Sequence, residues 1–333
     1  TTSTHLQDWD DRAALPFDTA VRGCSALQAR LRRQWQMELA RSEKDRAIEF
    51  CWDMDKFFDS VSVAILVDQL AIHGYPMTLM VNGIVQHRAP RMLRVGATLS
   101  NPIGDFGCSI LAGCQQSVSF VRGLMLTFVH ALGYTMTKGP SVCYQHVDDL
   151  AQVVSDPSGV KVIRAGVAIG LKVQEWAKRL KLRISPKSKI LPNCREARAI
   201  AKELSGHGLH LKVANQCDDL GVASNCCIKR VAKGLYGRIW KGKKRSKGIR
   251  ALGRRAPAAP YKLVRAGLIA QQRWGHTVSG ASPGQRRRMR SNIKCATKYG
   301  QTRTCGTTVI AMEFGEAAIP DIQMPVEQIA DWT

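Results

Sequence analysis

Between Asp219 and Glu313 the chain has no acidic residue. A stretch that long with charge of one sign repels itself unless it faces a polyanion. The window holds Lys229, Arg230, Lys233, Arg238, Lys241, Lys243, Lys244, Arg245, Lys247, Arg250, Arg254, Arg255, Lys262, Arg265, Arg273, Arg286, Arg287, Arg288, Arg290, Lys294, Lys298 and Arg303. These are 22 positive charges out of a net +23, so the rest of the 333 residues nets only +1. Apolar residues are interleaved throughout: Leu235, Tyr236, Ile239, Trp240, Tyr261, Leu263, Val264, Leu268, Ile269 and Trp274. They argue against a plain disordered basic tail and predict a folded, mostly helical lobe. Nucleic acid is the natural counter-surface, because neutralised phosphates release counterions. An anionic membrane surface fits less well, since no single amphipathic helix dominates the stretch. The densest clusters are Lys241, Lys243, Lys244, Arg245, Arg254, Arg255, Arg286, Arg287 and Arg288, and these are the candidate phosphate contacts.

Other absences narrow the class further. No apolar run reaches the roughly 18–20 residues of a membrane helix. The most apolar segment, Phe120 to Tyr134, carries Arg122 and His130 and reads as a core helix. No membrane partner is expected. No signal peptide is visible, and the chain opens on Thr1 rather than Met, which reads as an internal piece of a longer protein. The eleven cysteines (Cys24, Cys51, Cys108, Cys114, Cys143, Cys194, Cys217, Cys226, Cys227, Cys295 and Cys305) include no CxxC pair. Several lie in apolar segments, which suits reduced, buried thiols in an intracellular protein. His207, His210, Cys217 and Cys226 match no common zinc spacing, and a glycine-rich turn at Gly206-His207-Gly208 accounts for the histidines. There is no repeat and no low-complexity tract. The length suits a substantial core split into two or more lobes.

What is present is a tandem acidic pair, Asp148-Asp149, in the otherwise uncharged stretch Val142 to Val154. The Val-rich flanks read as two short strands meeting at a turn. Adjacent carboxylates there repel each other and lose hydration, so their pKa values should rise unless cations compensate. A divalent metal is the simplest compensation. A second cluster, Asp53-Met54-Asp55-Lys56-Phe57-Phe58-Asp59, lies upstream. If Asp53 ends a strand it can face the Asp148 turn. Mg²⁺ takes carboxylate oxygens plus substrate phosphates rather than a complete protein cage. Asp53, Asp148 and Asp149 therefore fit a phosphoryl-transfer site with two Mg²⁺ ions, with Mn²⁺ as a substitute. The bland alternative is two exposed acidic turns, which the hydrophobic framing of both clusters argues against.

Periodicity predicts a helix over 24–47, with Leu27, Leu31, Trp35 and Leu39 on its apolar face. A strand follows over 48–54, then a helix from Ser62 to the stop at Gly74-Tyr75-Pro76 and a short helix from Met77 to His87. Residues 91–110 read as a hairpin, and Ala112-Gly113-Cys114 opens an apolar helix through Leu132. A helix is expected from Lys161 to Leu180, a strand from Leu182 to Leu191, and a last hairpin between Leu209–Val213 and Leu220–Val222. This order predicts an α+β lobe over 48–225, an antiparallel sheet covered on one face, after an N-terminal helical segment 1–47. A basic helical lobe over 226–303 and an acidic tail over 304–333, standing off any nucleic acid, complete the expected division.

The order of these pieces resembles the reverse transcriptases of non-LTR (LINE-like) retrotransposons, their palm domain in particular. Asp53-Met54-Asp55-Lys56-Phe57-Phe58-Asp59-Ser60-Val61 is similar to the first palm motif, D-x-x-K-A-F-D-x-V. The resemblance implies that Asp53 is a metal ligand, that the carbonyl of Met54 is a second contact, and that Phe58 is the gate selecting deoxynucleotides. His146-Val147-Asp148-Asp149 resembles the Y/F/A-x-D-D turn, which implies Asp148 as the better metal ligand and Asp149 as second. Ala112-Gly113-Cys114-Gln115-Gln116-Ser117 resembles Q-G-x-x-x-S, with Gly113 and Ser117 in register, Ala112 where Gln is usual, and Gln115 or Gln116 as a substitute near the nucleotide. Lys187, with Lys189 as the alternative, resembles the lysine that protonates the leaving pyrophosphate, a general-acid task. Asp219-Leu220-Gly221-Val222 resembles the short hairpin that grips the primer strand, which implies that role for Leu220 and Gly221.

The likeness covers residues 24–225, and the basic lobe is similar to the thumb of such enzymes. It implies a right-hand polymerase palm and thumb, acting on an RNA template, a DNA primer and dNTPs. Upstream fingers motifs are not evident before Asp53, and no endonuclease or RNase H signature appears. A viral RNA-dependent RNA polymerase, a group II intron maturase-like enzyme and a decayed element that only binds nucleic acid remain as alternatives.

Overall fold

The computed structural model describes residues 3–103, 107–136, 141–226 and 233–333. Cys227, Lys229 and Arg230 lie outside the described residues. The chain forms two compact units, Thr1–Asn215 and Gln216–Thr333.

The first unit opens with helices α1 (Ser3–Ala13) and α2 (Ala26–Ser42), followed by strand β1 (Arg46–Trp52). A short turn of helix, α3 (Phe57–Ser60), then α4 (Val63–Ile72) and α5 (Met77–Arg88) lead to a small exposed hairpin, β2 (Arg94–Val95) and β3 (Thr98–Leu99). Helix α6 (Ser117–Met136) follows, then β4 (Ser141–His146), β5 (Asp149–Asp156), α7 (Gly159–Arg179), β6 (Lys189–Pro192), α8 (Glu196–Gly206) and β7 (Lys212–Val213). Five of these seven strands form one sheet in the order β4-β5-β1-β6-β7, antiparallel except for the last pair.

β1 is central, and its alternation decides what lies on each face. Ile48, Phe50 and Trp52 join the main core with Leu150, Val154, Phe120, Phe128, Val162, Val173 and Ile200, so α6, α7 and α8 pack on that side. Gly166 on α7 lets the two elements approach: a Cβ there would stand 3.1 Å from Ile48. The opposite face carries Glu49, which is 0% exposed.

Helix α2 covers that second face, and here two expectations are corrected. The sheet is covered on both faces, not one. Trp35 and Leu39 of the expected apolar stripe are exposed, while Ala29, Arg30, Arg33, Met37 and Ala40 are buried. Arg30 grips Glu49 with both guanidinium nitrogens, Nη2 donating to Oε2 at 3.2 Å, and Arg33 Nη1 stands 3.4 Å from Oε1. A buried carboxylate needs cationic partners more than an apolar cover, and that requirement sets the rotation of the helix.

Other elements follow their expectations with adjusted ends. The strand expected over 182–191 is shorter, because Ser185-Pro186-Lys187-Ser188 loop out of the ladder before β6. Leu209–Val213 does not pair with Leu220–Val222: β7 runs parallel to β6. The hairpin is instead β8 (Gln216–Asp219) with β9 (Val222–Asn225). Its two-residue turn has positive φ at Leu220 (49°) and Gly221 (69°), as a right-twisted hairpin requires.

That hairpin belongs to the second unit, so the compact division falls ten residues before the expected boundary at 225. The unit continues with α9 (Lys233–Gly253), α10 (Ala259–Lys262), a π-helical turn over Leu263–Ile269, α11 (Ala270–Arg273), α12 (His276–Ser279) and α13 (Pro283–Cys295). Helices α14 (Gly306–Phe314) and α15 (Pro320–Trp332) close it. Residues 304–333 are therefore no loose tail. Ile310, Phe314 and Ile319 join Ile249, Val264, Leu268 and Ile293 in one core, and Met324 packs with Leu235, Ile239 and Met289. Among the described residues no two cysteines form a disulfide, and no His/Cys/Asp/Glu cluster could hold a zinc ion.

Replacing Arg30 by Met should lower stability by about 3–5 kcal/mol, the usual cost of orphaning one partner of a buried ion pair. Urea unfolding of the full chain measures it; a midpoint equal to the parent's would show that the Arg30–Glu49 contact is not structural.

Candidate active site

The β1–β5 ladder ends on Trp52 opposite Leu150, so Asp53 and Asp149 leave the sheet as neighbours on strands about 5 Å apart. At the same end His146 pairs with Asp149, which leaves Val147-Asp148 as a two-residue turn between β4 and β5. The topology thus brings Asp53, Asp148 and Asp149 to one corner of the sheet.

Each part of that corner is held from outside. The backbone N–H of Asp53 donates to Ser188 Oγ at 3.0 Å, and its carbonyl accepts from the Ser185 N–H at 2.8 Å and the Ser188 hydroxyl at 3.1 Å. Cys51 pairs with Lys189, yet Met54 bridges to Ile184, two residues beyond a continuous register. The excess is the 185–188 loop, a bulge that clamps Asp53 and carries Lys187 out to solvent. Lys189, by contrast, is half-buried in the ladder. Around Met54 the bridging hydrogen bonds run from Ser185 to Asp53 and from Asp55 to Arg183. Met54's own carbonyl is therefore directed away from this edge, toward the β5 side.

The tandem turn is strained. Val147 has φ 57°, a left-handed conformation that a β-branched residue rarely adopts. Such strain costs on the order of 1–3 kcal/mol and concentrates at functional sites. The side chain of Gln145 holds the turn, its Nε2 donating to the Val147 carbonyl at 2.9 Å. Gln145 is in turn fixed by segment 17–19, where Thr19 donates from its N–H (2.8 Å) and its hydroxyl (2.7 Å) to the Gln145 carbonyl. Asp18 anchors that segment through Arg122 Nε at 2.7 Å, and Arg122 also donates to the Ala20 carbonyl at 2.7 Å.

Burial raises the Asp148 carboxyl above the ordinary carboxylate range, and the charge of Asp53 pushes it further. A backbone hydrogen bond and His146 offset this only in part. The two aspartates, 95 positions apart in the chain, thus feel each other's charge. Among the described residues no three carboxylate, His or Cys side chains stand close enough to enclose a metal ion. The donor set fits an open divalent site instead. Two mutually repelling carboxylates and the Met54 carbonyl would hold part of a Mg²⁺ shell, and water or substrate phosphate oxygens would complete it.

The remaining predicted residues are placed as follows. Phe58 is half-buried, edge-to-face with Phe57 at 5.7 Å, and its carbonyl accepts from the Ile110 N–H at 2.8 Å. This pairing joins the first acidic segment to the strand of chain leading into α6. Gly113 has φ 85°, which its lack of a side chain permits, at the exposed bend before that helix. Ser117 is buried and donates to the Leu111 carbonyl, so it shapes the bend rather than facing outward. Gln115 is exposed and lines a cavity of about 580 Å³ with Asp10, Arg22 and Arg122. Leu220 and Gly221 lie in the second unit, where the Leu220 carbonyl accepts from Trp274 Nε1 at 3.3 Å. Sequence reasoning missed the supports: Ser185, Ser188, Gln145 and Val147. The two serines flank Pro186 in a turn-prone run, and that was the available signal.

No family model matches the chain, and no curated protein does. Among solved structures it is similar to telomerase from Candida tropicalis bound to a TWJ fragment of telomeric RNA, at 12% identity and TM-score 0.44 over 94% of this chain. Apo telomerase from the same organism matches at 11% and 0.45 over 98% of this chain. Telomerase from Candida albicans matches at 10% and 0.43 over 92%. The chain spans only 54–57% of those structures. At these values the likeness carries no argument about activity, which rests on the residues themselves.

Because the folded state holds extra protons on Asp148, stability falls as pH rises from the usual carboxylate range through the raised value. Asp148→Asn should therefore raise the melting temperature at neutral pH, and the gain should vanish on acidification below pH ~4, where the parent carboxyl is protonated. A gain that persisted undiminished in acid would refute the electrostatic cause.

Proposed function

We propose that the chain is the catalytic core of an RNA-directed DNA polymerase of the non-LTR retrotransposon type. The observation that carries this reading is the meeting of Asp53 and the Asp148 turn at one sheet corner, electrostatically coupled and held by a strained, buttressed turn. Motif order supports it: the Phe58 segment, the Gly113–Ser117 bend, the tandem aspartates, the Lys187 bulge and the Leu220-Gly221 hairpin succeed one another along the chain.

In this reading a primer 3′-OH attacks the α-phosphate of a dNTP paired to an RNA template, and pyrophosphate leaves. Divalent cations, two Mg²⁺ or Mn²⁺, would supply Lewis-acid stabilisation of the attacking and leaving oxygens. Asp53 and Asp148 would hold them, with the Met54 carbonyl beside Asp53, and Asp149 would adjoin them at the start of β5. Lys187, on a bulge clamped to Asp53 and free to reach outward, is better placed than Lys189 to give a proton to the leaving pyrophosphate. Phe58, pinned through its backbone to Ile110, would exclude a ribose 2′-OH. Lys241, Lys243, Lys244, Arg245, Arg254, Arg255, Arg287 and Arg288, all exposed, would track the phosphate backbone without reading sequence. Arg286 is committed in part to Asp321, 3.8 Å away, and would contribute less.

Given an RNA template, a DNA primer, dNTPs and Mg²⁺, the chain should extend the primer, and Asp148→Ala should reduce extension to background. No extension with all aspartates intact would favour the nucleic-acid-binding alternative, to which Ala112 in place of the usual Gln lends weight. Phe58→Val should admit ribonucleotides. Unchanged sugar selectivity would argue against the assigned gate and for an RNA-synthesising relative.

A further inference from the structure

Helices α9 and α13 of the second unit enclose a cleft of about 760 Å³ lined by Lys233, Tyr236, Gly237, Trp240, Lys243 and Arg288, among others. Its chemistry differs from that of a generic basic surface. Tyr236 and Trp240 are 41% and 58% exposed, one turn apart on α9. A cation lies over each ring: Arg288 at 5.3 Å from Tyr236, and Lys244 at 4.1 Å from Trp240. Two exposed aromatic rings beside cations offer stacking faces and countercharge to a planar, anionic ligand.

The charges around the cleft are sorted by helix face. On α13, Arg290 Nη1 donates to Asp321 of α15 at 2.5 Å, and Arg286 Nε stands 3.8 Å from the same carboxylate. Arg288, on the opposite side of the helix, turns to the cleft. Asp321 thus engages Arg286 and Arg290 on the α15 side of α13, while Arg288 faces the cleft. The cleft side of α9 is built from the series 233, 236–237, 240 and 243, with Ile239 at its base and Lys244 beside Trp240, while Leu235, Gly242, Ser246 and Ile249 are buried. Gly237 sits in the middle of the lining, where an added Cβ would meet nothing within 4 Å. A mid-helix glycine costs about 1 kcal/mol relative to alanine, so its presence here goes against helix propensity while keeping the floor of the cleft open.

We propose that this cleft binds an unpaired stretch of RNA, with bases stacked on Trp240 and Tyr236 and the flanking phosphates taken by Lys243, Lys244 and Arg288. Base–aromatic stacking between cations is the general solution for holding single strands without reading sequence. This rests on the polymerase reading for the choice of strand. There the template is single-stranded outside the growing hybrid, whereas the DNA product is paired.

The test is fluorescence anisotropy of labelled U12 RNA, dT12 and a blunt RNA duplex with the full chain, at two salt concentrations. The parent should bind U12 more tightly than the duplex. Trp240→Ala should weaken U12 binding by about 5- to 150-fold, the range for loss of one stacked base, and leave duplex binding within twofold. Trp240→Phe should restore most of it. Gly237→Leu, which suits a helix and fills the cleft, should weaken U12 binding while circular dichroism shows the fold intact. Equal loss for U12 and duplex, or no effect of either Trp240→Ala or Gly237→Leu, would overturn the stacking cleft. A preference for dT12 over U12 would overturn the assignment to RNA. Primer extension is read separately, so a failed cleft and a failed polymerase assignment give different results.

Discussion

The antiparallel pairing of β1 with β5 is the constraint on which the first unit depends. Seven consecutive partners fix the register, and a one-residue slip would exchange the two faces of the strand. One face carries Ile48, Phe50 and Trp52 into the core, and the other carries Glu49 under α2. Both facings are costly to reverse, so the end of β1 is fixed to within a residue. Asp53 then stands beside the turn of the neighbouring hairpin. The acidic corner follows from two buried requirements elsewhere in the strand, an apolar one and an ionic one.

The corner carries stored cost. Asp148 is partly desolvated beside a like charge, and Val147 holds a left-handed backbone that its branched side chain disfavours. Folded proteins keep such features only where surrounding structure over-determines them. Here the surroundings are identifiable: Gln145 and segment 17–19 on one side, and the Ser185–Ser188 bulge on the other. The second unit shows the complementary strategy. Its excess positive charge is partly cancelled by Asp321 and Glu327 of α15, while Lys243 of α9 and Arg288 of α13 line one cleft.

Much of the site was legible in the sequence because it is local. Asp148-Asp149 between two Val-rich segments reads as a turn between strands, and the turn falls one residue earlier, on Val147-Asp148, with Asp149 opening β5. The apolar helix through Leu132 and the helix after Lys161 follow from periodicity alone. The failures came where a distant partner overrode the local pattern. Leu27, Leu31, Trp35 and Leu39 make a good apolar stripe, but Glu49 pulled Arg30 and Arg33 inward instead. Leu209–Val213 resembled half of a hairpin, but the edge of β6 offered it a parallel partner. The acidic stretch after Glu313 looked like a tail, since a run of mixed polar residues does not announce that its carboxylates match Arg273 and Arg290. Helix α8 went unmarked among short apolar spacings. The bulge clamping Asp53 is likewise visible only once β6 is seen to skip two residues.

The central claim is that Asp53 and Asp148 act as one electrostatic unit toward a divalent cation. The most direct measurement is Mn²⁺ affinity by water-proton relaxation for the full chain and its Asp53→Asn, Asp148→Asn and doubly substituted variants. The account predicts that each single change weakens binding severely and that the double change adds little more, the non-additivity expected of side chains sharing one ion. Independent, additive losses, or Mn²⁺ binding unchanged in both single variants, would contradict it.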